Sequence, residues 1–177
     1  KMPIFVDSPL AIRLTVIYDK YREYFNKGAR DLMKTDDDIF RFHGLKETTE
    51  TDQSKAILGA PNPKIIIAGS GMSNGGRIVH HEKNYLPDAK NTLLLTGYQS
   101  MGTMGRQIED GAKSVHIMGD EVPVRAHIEK ISGYSGHKDS DHLIEFVAGT
   151  ADRVKKVFVV MGELKSALFL VQRLRDY

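Results

Sequence analysis

A chain of 177 residues, 41% hydrophobic and 27% charged, has the make-up of a soluble globular protein with enough apolar material for a core. It has no cysteine, which excludes disulfides and zinc–thiolate sites and fits a cytoplasmic protein; no signal-peptide pattern opens it, and no run approaches the roughly 20 apolar residues of a membrane span. A formal net charge of +2 is too small for nucleic-acid binding by bulk charge, so any such role must rest on local clusters.

Pro3 to Asp7 reads as a short buried strand. Ser8 then caps a helix with Pro9 at its first position, and Leu10, Leu14, Ile17, Tyr21 and Tyr24 recur at helical spacing to about Phe25. Residues 26–51 carry Gly28, the acidic run Asp36-Asp37-Asp38 and Gly44, and read as loop with short irregular elements. The acidic run reads as a solvated turn rather than a metal site, because no further acidic ligands are spaced around it. Residues 52–58 form a short helix, which Pro61-Asn62-Pro63 breaks. Strands at 64–68, 92–96 and 114–118 then alternate with helices at 76–85 and 103–110. That alternation predicts an α/β fold with a mainly parallel sheet flanked by helices. Residues 122–131 alternate at period two, which predicts an antiparallel or edge strand, and Pro123 favours an edge. A turn at 133–136, a helix at 139–148, a strand at 156–160 and a helix at 163–175 complete the reading.

Two glycine-rich turns stand out. One follows the strand Ile65-Ile66-Ile67-Ala68 and contains Gly69, Ser70, Gly71, Gly75, Gly76 and Arg77; the other follows Leu93-Leu94-Leu95 and contains Gly97, Tyr98, Gln99, Gly102, Thr103, Gly105 and Arg106. Glycines let a ligand approach the backbone, and a helix N-terminus offers free N–H groups and the positive end of a dipole. Each turn therefore reads as an anion site, and two of them, each with an arginine, suggest a ligand with more than one phosphate. A dinucleotide fingerprint fits poorly, since the next strand ends in Thr96-Gly97-Tyr98-Gln99 with no acidic residue for a ribose. A P-loop fails because Arg77-Ile78 stands where lysine and Ser/Thr are needed. The plain alternative is two tight strand-to-helix turns. It explains the arginines worst, since cations near a helix start are unfavourable without an anion.

A second constellation is Gly133-Tyr134-Ser135-Gly136-His137-Lys138-Asp139. Asp139 can cap the following helix, and His137, in a glycine-flanked loop, can donate to a phosphate oxygen or transfer a proton. His80 and His81 are adjacent on a helix and do not share a face for a metal.

These blocks, with Phe5-Val6-Asp7-Ser8-Pro9-Leu10-Ala11 before them and Val159-Val160-Met161-Gly162-Glu163 after them, resemble the β-CASP family of metallo-β-lactamase-fold RNA-processing nucleases. The resemblance implies a β-CASP domain over residues 1–121. From 122 to 177 it implies a C-terminal βα segment that returns to a metallo-β-lactamase domain. It implies single-stranded RNA in a cleft, its phosphates held by Ser70, Gly71, Gly75, Gly76, Arg77, Tyr98, Gln99, Thr103, Gly105 and Arg106. Tyr98 fits a stacked base and a packed side chain equally well. His137 falls on the family's cleft histidine and is the catalytic residue expected here.

Two departures qualify the resemblance. The family's His-x-His-x-Asp-His motif is absent, so the chain looks like a piece of a zinc-dependent ribonuclease. The missing N-terminal metallo-β-lactamase domain would bind two zinc ions, and no metal or nuclease activity is expected of this chain alone. Met161 occupies a position where the family carries a histidine ligand, and a thioether is a poor zinc ligand. The alternatives are a non-catalytic RNA-binding scaffold relative, which Met161 favours, and a nucleotide-binding α/β module. Expected partners are single-stranded RNA, the missing domain and, as an open alternative to a monomer, a second copy in a homodimer; no membrane partner is expected.

Overall fold

The computed structural model describes residues 2–35 and 39–177; the acidic run Asp36-Asp37-Asp38 lies outside them. The chain divides into two compact units, residues 1–130 and 131–177.

The first unit is α/β. Strand β1 (Ile4–Asp7) lies between β2 (Leu45–Glu47) and β3 (Ile65–Ala68), all parallel, with Ile4 opposite both Leu45 and Ile65 and Asp7 opposite Ala68. The strand period of two turns Phe5 and Asp7 to one side, and both are buried. The register brings the chain after Asp7, after Glu47 and after Ala68 to one end of the sheet. Ligand sites of α/β folds form at the carboxyl ends of their strands.

Helix α1 (Pro9–Lys20) starts as the sequence predicts, with the Ser8 hydroxyl accepting from Ala11 N at 3.3 Å and Pro9 in the first turn. It gives way to a 3-10 turn over Arg22–Tyr24. Helix α2 (Lys27–Thr35) corrects the loop expected there. It has no buried residue, and local bonds support it: Ala29 N to the Asn26 side chain at 2.9 Å, and Lys34 to Asp31 at 2.8 Å. Helix α3 (Thr51–Ala56) opens with a capping box between Glu50 and Gln53. Helices α4 (Ile78–Tyr85) and α5 (Met104–Glu109) follow the glycine turns.

Strand β4 (Thr92–Leu95) pairs in parallel with β7 (His127–Lys130), and β5 (Ser114–Ile117) pairs antiparallel with β6 (Asp120–Pro123). The β5–β6 hairpin turns on Met118 (φ 54°) and Gly119 (φ 87°), the pair of positive φ angles that matches strand twist in a two-residue loop. The single strand expected over 122–131 is therefore two strands. Between them the N–H groups of Arg125 and Ala126 both donate to Leu86 O, at 2.8 and 3.0 Å, which turns the chain from one partner strand to another. Leu86, Ile108, Val115, Ile117, Val122 and Ala126 form the buried cluster.

The second unit pairs α6 (Ser140–Ala148) with α7 (Leu164–Asp176). Asp139 caps α6 as expected, accepting from His142 N at 3.0 Å. The strand expected at 156–160 is not formed. Its unit offers no strand to pair with among the described residues, and Phe158 and Val160 are exposed.

Ile108, 1% exposed in the centre of the cluster, tests this packing. Ile108→Ala should lower the urea-unfolding free energy by about 2–5 kcal/mol, whereas Leu94→Ala on an exposed strand position should cost about 1 kcal/mol or less. Equal losses would place the core elsewhere.

Candidate nucleic-acid interface

The turn between β3 and α4 closes on itself. Ile78 N donates to Gly69 O at 3.0 Å, Ser70 N to Gly75 O at 3.1 Å, and Ser73 N to Ser70 O at 3.3 Å. Gly76 has φ +74°, and a Cβ there would lie 2.5 Å from Gly69 O, so this crossing of the chain requires glycine. The Gly69–Ser70 peptide is cis.

The second turn is bolted to the first. Gly105 N donates to Met72 O and Met104 N to the Asn74 side-chain oxygen, both at 3.0 Å. The buried Gln99 amide donates to Gly71 O at 2.8 Å and Gly97 O at 3.2 Å. A Cβ at Gly105 would lie 1.9 Å from Gln99 Oε1. Thr103 caps α5: its hydroxyl accepts from Arg106 N at 3.2 Å and donates to Ser100 O at 2.7 Å. Of the residues the family resemblance places along RNA phosphates, Gln99, Thr103 and Gly105 are thus inside the protein, holding the turns together. Ser70, Gly71 and Tyr98 are exposed and Gly75 half-buried; a Cβ at Gly71, Gly75 or Gly97 would meet nothing within 4 Å. Among the described residues, the N–H groups of Gly71, Asn74, Gly75 and Gly76 donate to no backbone carbonyl.

Both arginines have anions within the protein. Arg77 Nη1 donates to Asp7 Oδ1 and to Thr48 O, and Nη2 to Thr49 O, each at 2.7 Å. Arg106 Nε lies 2.9 Å from Asp110 Oδ2. Asp7 is fully buried and takes four donors: Thr48 at 2.6 Å and Arg77 on Oδ1, Ser54 at 2.6 Å and the His81 ring at 2.7 Å on Oδ2. Burial by itself pushes its carboxyl up, and the bonds from Ser54, Thr48, His81 and Arg77 outweigh that and bring it down to about 2.

A second buried carboxylate has the opposite setting. Glu82 on α4 is 3% exposed; its Oε1 accepts from Ser73 Oγ at 2.5 Å and its Oε2 is buried without a partner among the described residues. Burial pushes its carboxyl up to about 7 against the single opposing bond from Ser73. Sequence reading assigned no role to Asp7 or Glu82. A charged residue one position from His81 in a short amphipathic helix was the available signal.

In the second unit, residues 131–139 are exposed, His137 included; its N–H donates to Ser135 Oγ at 3.2 Å. The backbone N–H of His142, then its ring, holds the Asp139 carboxyl below its usual value. Met161 is fully exposed with φ 66°. Among the described residues no three His, Asp or Glu side chains cluster for a metal, and both oxygens of Asp7 are occupied by other donors, so these residues do not fit a zinc centre. No described helix is long and apolar enough to cross a membrane.

The Asp7 hub makes a signed prediction. A carboxyl lowered from 3.8 to about 2 contributes about 2 kcal/mol above pH 4, lost as pH falls through 2. Asp7→Asn, which leaves Arg77 without its counter-charge, should cost about 3–5 kcal/mol at pH 7 and less at pH 2.5 by urea unfolding. An equal cost at both values would exclude the charge as the cause.

Comparison with known families matches residues 1–108 to the Beta-Casp domain and residues 121–177 to the Zn-dependent metallo-hydrolase RNA specificity domain. Ribonuclease TTHA0252 of Thermus thermophilus is 38% identical over 170 residues, which cover 96% of this chain and 38% of that protein. Transcription termination factor FttA of Methanocaldococcus jannaschii is 29% identical over 179 residues, covering 98% and 28%, and that of Pyrococcus horikoshii 31% over 176 residues, covering 96% and 27%. The chain therefore spans well under half the length of these relatives. The first match contains Asp7 and both glycine turns and the second contains His137 and Met161, and on these matches the chain belongs to the β-CASP family of metallo-β-lactamase-fold RNA nucleases.

Proposed function

We propose that this chain is the RNA-holding part of a metal-dependent RNA-processing nuclease and that it clamps single-stranded RNA by its phosphates. One observation supports this above the rest: two glycine turns locked to each other by Gly105–Met72, Met104–Asn74 and Gln99–Gly71 bonds, with open glycine faces at Gly71, Gly75 and Gly97. Backbone N–H groups on such a turn can take phosphate oxygens, which positions a strand without reading its sequence. The Ser70 hydroxyl adds a donor, and the exposed Tyr98 ring offers a base a stacking face. Gly76, Gln99, Thr103 and Gly105 act indirectly, by fixing the shape of the turns.

The two arginines divide in this reading. Arg106 pairs with an exposed carboxylate, Asp110, and such pairs are worth about 1 kcal/mol or less, so a phosphate can replace Asp110. Arg77 is held by a fully buried carboxylate and two carbonyls and stays in place. His137 is the proposed catalytic group, an exposed imidazole being able to donate to a phosphate oxygen or transfer a proton. Zinc, two ions in this reading, is held by the N-terminal metallo-β-lactamase domain of a longer parent protein. A cytoplasmic location and either a monomer or a homodimer are compatible with it. A relative that serves as a non-catalytic scaffold is the second reading, and Met161 at the family's histidine position favours it.

Binding of a labelled single-stranded RNA across a salt series, with and without zinc, tests the clamp. Salt-sensitive binding indifferent to zinc is expected, with Arg106→Ala reducing the slope of log K against log salt by about one. No binding at low salt overturns the reading, and stronger competition by a mononucleotide than by unlabelled RNA would replace it with a nucleotide-binding module.

A further inference from the structure

Ser73 sits between the open glycines of the first turn with φ 58°, a conformation few side chains adopt without support, and it is 3% exposed. Its support is the hydrogen bond to Glu82. A carboxylate this buried, with one hydrogen bond and an unpartnered second oxygen, is poorly solvated when charged and well tolerated when it carries a proton.

The charged groups of the surrounding elements are committed elsewhere. On α4 itself His81 faces Asp7, and Lys83 pairs with Asp120 of β6 at 2.5 Å. At the end of the turn Arg77 is held by Asp7, Thr48 and Thr49. In α5 Arg106 pairs with Asp110, and ahead of β3 Lys64 donates to the carbonyls of Ile57, Leu58 and Ala60. Among the described residues, the hydrogen bond from the turn to Glu82 is that of the Ser73 hydroxyl.

We propose that Glu82 is a proton-operated switch on the glycine turn: the protonated acid leaves the turn neutral and able to take a phosphate group, and loss of the proton places a negative charge one hydrogen bond from the turn and weakens its hold on any phosphate-bearing ligand. The proposal rests on the phosphate-binding reading of that turn. Burial sets the midpoint near pH 7. The sign is fixed: affinity is highest below the midpoint and falls as pH rises through it. A single like charge at such a range weakens anion binding by about 3- to 10-fold.

Two readouts on the full chain separate this from the RNA reading. The first is the pH dependence, from 5.5 to 8.5, of the amide resonances of Ser73, Gly75 and Gly76. A common step near pH 7 is expected in the wild type and none in Glu82→Gln. A step that survives the substitution does not come from Glu82. The second is the affinity for labelled single-stranded RNA over the same range, with sulfate as a non-titrating anion probe. The wild type should weaken about 3- to 10-fold from pH 6 to 8, and Glu82→Gln should hold its low-pH affinity throughout. Ser73→Ala, which removes the one bond to the carboxylate, should move the step to higher pH and serves as a second variant if Glu82→Gln fails to fold. The proposal is overturned by a wild type without the amide step, by a step that persists in Glu82→Gln or stays unmoved in Ser73→Ala, or by sulfate and RNA affinities that ignore pH. An amide step and pH-dependent sulfate binding without RNA binding would sustain the switch and refute RNA as the ligand.

Discussion

The position of the glycine turn depends on one carboxylate. Asp7 ends the central strand of its sheet, and the parallel register sets it opposite Ala68, the residue before the turn begins. Its oxygens then take donors from the chain after β2 (Thr48), from α3 (Ser54), from the end of the turn (Arg77) and from α4 (His81). An isolated buried charge is costly, and removing one partner of a buried pair leaves an uncompensated ion. Here four donors on two oxygens meet that cost, and the same bonds fix where α4 stands relative to β1. The turn is thereby anchored at both ends, by strand pairing before Gly69 and by the Arg77–Asp7 pair after Gly76.

Between those anchors the glycines do two different jobs. Gly76 and Gly105 are glycine because other parts of the protein, Gly69 O and Gln99 Oε1, occupy the space a side chain would fill. Gly71, Gly75 and Gly97 face open space. The first kind makes the turns rigid and the second leaves the backbone accessible. A rigid turn loses little conformational entropy on binding, so a preorganised backbone site needs few strong contacts to hold a ligand.

How much of this was legible in the sequence follows from the range of the interactions. The Ser8-Pro9 start of α1, the Asp139 cap and the strand–turn–helix alternation are local, and each was readable from neighbouring residues. Helix α2 was hidden by Gly28 inside it and by the shortness of its apolar face, Ala29, Leu32 and Met33, none of which is buried. The period-two run at 122–131 holds an antiparallel strand and an edge strand, as expected, but not one continuous strand, because the break at Arg125 and Ala126 depends on Leu86, which is distant in sequence. Residues 156–160 have strand chemistry but lack a neighbouring strand, and no chain segment is a strand by composition alone. At the site the residue types were legible and their partners were not. The arginines implied an anion, as the helix-dipole argument required, but the anion for Arg77 lies 70 residues away in the sequence.

Helix α4 meets the two buried carboxyls through consecutive residues, Asp7 through His81 and the second as Glu82 itself. His81 and Glu82 are about 100° apart around the helix axis, so one addresses the strand and the other the turn. His81 joins a carboxylate saturated with donors, which is held ionised; Glu82 presents a carboxyl with one donor, which burial holds toward its protonated form. Two carboxyls pushed apart in this way divide a permanent role from a variable one. Asp7 keeps its charge throughout the neutral range and supports the architecture. Glu82 is poised where a small change in surroundings alters its charge, and the helix that connects them makes the turn answerable to both.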